Sequence, residues 1–142
     1  MDLSYIIIPV IVLITSQTLK LLTDGIKGNF DLKSMFISYG GMPSSHTAFT
    51  VSITTLLAVR QGLDSPIFAL ALIFTLLTIR DAVGFRNVLG KQAQALNRLI
   101  NRLPETEKKD LSSFREQMGH SILEVIAGAF WGIILTYFLS LL

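Results

Sequence analysis

Pro43-Ser44-Ser45-His46-Thr47-Ala48-Phe49-Thr50-Val51-Ser52-Ile53-Thr54-Thr55-Leu56-Leu57-Ala58-Val59 carries no charged side chain, yet seven of its residues bear a hydroxyl and one an imidazole. The length and the lack of charge suit a helix crossing a bilayer, which takes about 20 mostly apolar residues. The hydroxyls suit a helix packed inside a bundle, because they hydrogen-bond across to neighbouring helices or back to their own carbonyls. The segment therefore predicts partner helices, and the rest of the chain supplies three.

One apolar window runs from about Leu3 to Leu22, with the block Ile6 to Ile14 broken only by Pro9, a place for a kink, and with Lys20 near its far end. A second runs from about Ser65 to Ile79 and meets Arg80 and Asp81, its helix continuing through Ala82 and Val83 towards Gly84. The third, about Gly119 to Leu142, holds one acid, Glu124, in its first turns. The first window is expected to be retained: Asp2 stands where a signal peptide has a basic region, and no small-x-small cleavage site follows. Composition points the same way, with 51% hydrophobic residues, 15% charged and a mean hydropathy of +0.58, against the ~25% charged residues of a soluble domain. The predicted fold is all-α, a single integral membrane domain over 1–142. It is a helical bundle of about four transmembrane helices, at roughly 3–22, 43–59, 65–82 and 119–142, plus an interfacial amphipathic helix. There is no internal repeat.

The absence of cysteine excludes disulfide frameworks, thiolate metal sites and cysteine nucleophiles. A net charge of +2 argues against a nucleic-acid partner despite a pI near 9.1. The interfacial helix is expected at about Val88 to Leu103, where Leu89, Ala93, Leu96, Ile100 and Leu103 recur at three- and four-residue spacings opposite Lys91, Gln94, Arg98 and Arg102. Pro104 to Asp110 reads as a solvent loop. The side of the membrane holding Leu22–Met42 and Arg80–Met118 carries eleven basic residues and the other side only Arg60, so the positive-inside bias puts both charged connections in the cytoplasm and both termini outside.

An even number of crossings gathers polar residues at one leaflet: Lys20 closes the first span, His46 opens the second, Arg80 and Asp81 close the third, and His120 and Glu124 open the fourth. Ionisable groups cost about 2.5–3.5 kcal/mol at the bilayer centre, and those kept near span ends serve a partner or a pathway, or merely snorkel to head groups. Both histidines of the chain are in this group, each beside glycines and serines. Glu124 follows His120 by four residues, which on a helix sets the carboxylate one turn away on the same face, able to hold an imidazole tautomer. The Gly-Pro-Ser stretch at a helix start offers backbone N–H groups to an anion. Phosphate fits such a cradle, with basic residues neutralising it, one histidine attacking phosphorus and the other protonating the leaving alcohol; no metal or other cofactor is needed.

Gly-Met-Pro-Ser-Ser-His-Thr-Ala around His46 and Gly-His-Ser-Ile-Leu-Glu-Val-Ile-Ala-Gly around His120 resemble two signatures of the type-2 phosphatidic acid phosphatase and vanadium haloperoxidase superfamily. With Asp81 to Asn97 between them, the ordered blocks look like the small divergent bacterial and plant branch of that superfamily, from about Lys20 to the C-terminus. The resemblance implies His120 as nucleophile through a phosphohistidine, Glu124 as its orienting carboxylate, His46 as proton donor, and a phosphate site made by Lys20, Lys27, Ser44, Ser45 and nearby arginines. Two positions depart from the pattern. Lys27 and Gly28 stand where the first signature has Arg-Pro, so the charge survives without the planar fork. In the third signature Ser113, His120 and Glu124 keep register, Glu replacing Asp, but Phe114 occupies the arginine position and Arg115 is its neighbour. If Arg115 does not reach the site, Arg80 or Arg86 is the replacement. Gly90, Gln92 and Asn97 belong to the middle block and are expected to pack the interface.

The leading expectation is a metal-independent lipid phosphate phosphatase, its substrate phosphatidate-like or prenyl phosphate-like, entering from the membrane. Bacterial lipid phosphatases of the wider family usually work at the outer face, whereas the basic residues here favour a cytoplasmic site and a lipid phosphate made inside. The alternative is a catalytically inactive membrane protein that binds anionic lipid or a partner through the same pocket. Two further readings are a small transporter subunit formed by self-association and a metal site of His46, Asp81, His120 and Glu124, the latter without any HxxH or HExxH spacing. Four short spans bury little surface alone, so a homo-oligomer is compatible with the size.

Overall fold

The computed structural model describes residues 3–26, 41–108, 111–114, 116 and 119–142, with backbone only at 24–26 and 105. Helix α1 spans Ser4–Ile26 and runs unbroken through Pro9; α2 spans Ser45–Gln61 and α3 Pro66–Arg80. A π-helical turn, Asp81–Phe85, joins α3 directly to α4, Arg86–Ile100. A single turn, α5, covers Glu105–Lys108, and α6 spans Ile122–Ser140. The described residues contain no strand.

Three of these helices are long and apolar enough to cross a membrane: Ser4–Thr23 in α1, the continuous Pro66–Ile100, and α6. The protein is an all-α membrane helical bundle. The hydroxyl-rich α2 lies among the others, packed on α1, α3 and α6, with nine buried residues where α3 has Thr75 alone. Its hydroxyls bond as the sequence predicts. Thr54 Oγ1 meets Thr75 Oγ1 at 2.8 Å, Thr75 Oγ1 donates to the Thr50 carbonyl at 3.1 Å, and Thr136 Oγ1 donates to Ser52 Oγ at 2.6 Å. In a bilayer these bonds replace the water that the groups would otherwise need.

The closest helix pair is parallel. Ser44, Ala48 and Ser52, at the head of α2 and one and two turns in, face Gly128, Gly132 and Thr136 of α6, all at four-residue spacing. A Cβ on Gly132 would lie 2.6 Å from the Ala48 carbonyl oxygen, and one on Gly128 would come under 3.0 Å from that of Ser44. This is the small-xxx-small packing by which membrane helices approach closely. Across the bundle α1 runs antiparallel to both, placing Thr23 near Met42, Ser4 near Arg60, and Trp131 Nε1 on Thr15 Oγ1 at 3.2 Å. Ser4 and Ser140 therefore lie at the Arg60 end, and the polar gathering lies at the other. An apolar cavity of about 270 Å³, lined by Tyr5, Ile53, Leu56, Leu57, Gln61 and Ile67, also sits at the Arg60 end, away from the histidines.

Two boundaries differ from the expected ones. The third span does not stop near Gly84 before a separate surface helix; it passes into α4 without a break, because the π-turn absorbs Gly84 where a Pro or a cap would have ended it. The last helix begins at Ile122 and not at Gly119, since Gly119 has φ +100° and Ser121 caps the helix. His120 therefore lies outside the helix, ahead of α6, and the expected same-face helical relation between His120 and Glu124 does not exist.

Candidate anion site

The site is built from one buried stripe and two caps. Ile8, Val12, Ser16 and Lys20, four residues apart, are the buried face of α1, so the packing that seats three small or apolar side chains also turns Lys20 inward, 6% exposed. Thr23 Oγ1 fixes the neighbouring loop by donating to the Met42 carbonyl at 2.9 Å.

That loop delivers Pro43 to His46. Ser44 is the N-cap of α2; its N–H donates to the Glu124 carbonyl at 2.9 Å, and its hydroxyl pairs with Thr47 Oγ1 at 2.9 Å. Both Ser44 groups are thus spent on the fold. Ser45 is different: it is 5% exposed and its Oγ has no hydrogen-bond partner. Next to it the first N–H groups of α2 have no acceptor within the helix. His46, in the first turn of α2, is exposed.

His120 reaches the same place from α6. Its backbone N–H donates to the Ala82 carbonyl at 3.1 Å, and Gly119 packs so closely on the π-turn's exit that a Cβ would be 2.6 Å from Asn87 N. The ring is 7% exposed and its Nδ1 is buried with no partner. Standing ahead of the α6 span, His120 has its pKa lowered, first by burial, with the Glu124 carboxylate and the Gly119 backbone opposing the shift and Lys20 and His46 adding to it. Glu124 does not hydrogen-bond the ring. Its Oε2 accepts from Ser121 N at 3.1 Å while Ser121 Oγ accepts from Glu124 N at 3.3 Å, a capping box. The carboxylate acts on His120 through space only.

Lys20 acts electrostatically on both imidazoles, His46 acts on His120, and Arg86 and Asp81 act on His46. The sequence's candidates Lys20, Arg86 and Glu124 thus lie within electrostatic reach of His46 or His120, and Ser44 and Ser45 adjoin His46 in the chain, Ser44 in a bonded role. Arg80 is not: it is exposed, with its guanidinium over the Phe85 ring at 6.0 Å. Lys27 and Arg115 lie outside the described residues. His46, Asp81, His120 and Glu124 do not converge as a metal-ligand set among the described residues.

Asn97, which the sequence leaves without chemistry, has a defined task. Its amide donates to the Phe114 carbonyl at 2.7 Å and to Glu116 Oε1 at 2.8 Å, and its Oδ1 accepts from Phe114 N at 2.8 Å. One side chain thereby imitates a strand partner and ties the third signature to α4. Asn97→Ala is expected to raise the rate of limited proteolysis between Pro104 and Glu116 about tenfold, the effect of losing ~1.4 kcal/mol of net hydrogen bonding, read by timed digestion and mass spectrometry.

The chain matches the family described as the Divergent PAP2 family over residues 1–135. It is 38% identical over 118 residues, covering 75% of this chain and 75% of the relative, to the "Uncharacterized membrane protein YuiD" of Bacillus subtilis (strain 168). No solved structure matches it significantly. With His46 and His120 in one neighbourhood and the match running nearly end to end, the chain belongs to the Divergent PAP2 family.

Proposed function

We propose that this membrane protein is a metal-independent lipid phosphate phosphatase. The observation that carries the reading is the buried cation Lys20 acting on both imidazoles, with Ser45 Oγ buried and without a partner at the head of α2. An unpaired buried hydroxyl is costly, and one at a helix N-terminus suits an oxyanion that completes it.

In the proposed reaction His120 attacks phosphorus through Nε2, its Nδ1 facing the interior, and the P–O bond to the lipid alcohol breaks. His46, which gains its proton once the bound phosphate offsets the charges of Arg86 and Lys20, gives that proton to the departing oxygen. Neutral His46 then takes a proton from the water that attacks the phosphohistidine, the P–N bond breaks, and phosphate leaves. Burial keeps His120 in its neutral, nucleophilic form, while Lys20 and Arg86 stabilise charge on the transferring group. Glu124 supports the cationic ring through space. The excess of basic residues at this end favours a cytoplasmic site, and the apolar α3 and α6 walls favour a substrate that arrives within the leaflet, phosphatidate-like or prenyl phosphate-like.

The test is phosphate release from short-chain phosphatidic acid or prenyl phosphate by purified protein in chelator. Release that persists in chelator and vanishes in His120→Ala supports the proposal; release no greater than that of the variant rejects it. The second reading, anion binding without turnover, is favoured by one observation: Phe114, at the arginine position of the third signature, is exposed and clamped to Asn97. It predicts orthovanadate binding with no hydrolysis in the same preparation.

A further inference from the structure

We propose that Asp81 is a positioning residue for the anion site: through the π-turn that seats Gly119 and His120 it fixes the Arg86 guanidinium, so that Arg86 takes the part of the arginine missing at Phe114. The inference rests on reading the site as one for a phosphate-like anion, whether or not turnover follows.

Residues five apart on an α-helix, at 3.6 per turn, stand about 140° apart around the axis and do not meet. Asp81 and Arg86 are five apart and meet twice. The Arg86 N–H donates to the Asp81 carbonyl, the wide i to i+5 bond of a π-turn, and Nε donates to Asp81 Oδ2 at 2.6 Å. The widened turn is what stacks one side chain over the other. The bond uses Nε and so fixes the plane of the guanidinium fork. Arg86 and Asp81 both act on His46, whereas Arg80, one residue before the turn, faces Phe85.

The same turn also seats the nucleophile's backbone. Ala82 accepts the His120 N–H, and Gly119 lies on the backbone of Arg86 and Asn87. One local irregularity thus sets Arg86 and His120 relative to each other. Stability does not account for the ion pair, because its side chains are 30% and 39% exposed and pairs so open to solvent contribute little. Placement does.

The test measures orthovanadate affinity of the full-length protein in detergent micelles, with KM and kcat for a short-chain lipid phosphate alongside. Asp81→Ala is expected to weaken vanadate about tenfold and to raise KM by a similar factor, with kcat less affected. Asp81→Asn, which still offers Nε an acceptor, is expected to restore most of the affinity. Arg86→Lys, which keeps charge but loses the planar fork, is expected to behave like Asp81→Ala. In an Arg86→Ala background Asp81→Ala should cost nothing more, since its effect passes through Arg86. Equal losses with and without Arg86, or wild-type vanadate affinity in Asp81→Ala, overturn the inference. If Asp81→Ala does not fold, Asp81→Asn and Arg86→Lys decide it: the asparagine variant binding as weakly as the lysine variant overturns it. Wild-type protein that binds vanadate without turnover removes the phosphatase reading and leaves this one standing; wild-type turnover with an indifferent Asp81 does the reverse.

Discussion

His120→Ala is expected to lower phosphate release at least about a thousandfold, the usual cost of deleting a nucleophile, with little loss of folded protein. The separation of the two effects follows from how the residue is held. Its ring Nδ1 has no partner, and the structural bond it makes runs from the backbone N–H to the Ala82 carbonyl, which alanine keeps. The variant should melt near the wild-type temperature and retain the Gly119 seat against Asn87. A pH consequence follows. A histidine whose pKa is lowered in the folded state takes up protons more readily when unfolded, so its contribution to stability is complete above about pH 6.5 and is lost as pH falls through that value towards the lowered one. His120→Ala should therefore show a flatter loss of thermal stability on acidification than the wild type, measured by unfolding in micelles between pH 7 and pH 4.

The second large effect is expected at the α2–α6 seam. A Cβ on Gly128 would press on the Ser44 carbonyl, whose residue is also tied to α6 by its N–H on the Glu124 carbonyl, so neither side of the contact yields easily. Gly128→Ala is expected to cost about 2–3 kcal/mol, the upper part of the overpacking range, and about 5 °C or more in melting temperature. Because Ser44 leads straight into Ser45 and His46, it should also weaken orthovanadate at least tenfold. Gly132→Ala, one turn deeper and against Ala48, should destabilise by a similar amount while affecting vanadate far less. Trp131, adjacent to Gly132 and bonded to Thr15, is a fluorescence reporter for both unfolding curves.

Apolar length alone made the bundle legible, and the hydroxyls of Thr50, Thr54 and Ser52 correctly marked α2 as interior. Counting crossings gave the expectation that Lys20, His46 and His120 share one end of the bundle, and the three act on one another electrostatically. Two further signals were present in the sequence but outranked by the apolar pattern: Ser121-Ile-Leu-Glu124 is a capping box, which sets the start of α6 and keeps Glu124 off the His120 ring, and Gly128-Ala-Phe-Trp-Gly132 is a small-residue ridge, which selects α2 as neighbour. Other features had no local signature. Asp81 and Arg86 look like the charged end of a span, and only the π-turn's backbone reveals a continuing helix. The division between a bonded Ser44 and an unpaired Ser45 depends on Thr47 and Glu124 arriving from two directions. Asn97 needs the backbone of Phe114 in place before its amide means anything.

The unbroken run from Pro66 to Ile100 has a mechanical consequence. Thirty-five helical residues make a rod about 50 Å long, where the hydrocarbon layer is about 30 Å thick. A rod that outreaches the layer must tilt or project from it, and the turn at Asp81–Phe85, whose carbonyl carries His120, marks where it departs from the bundle.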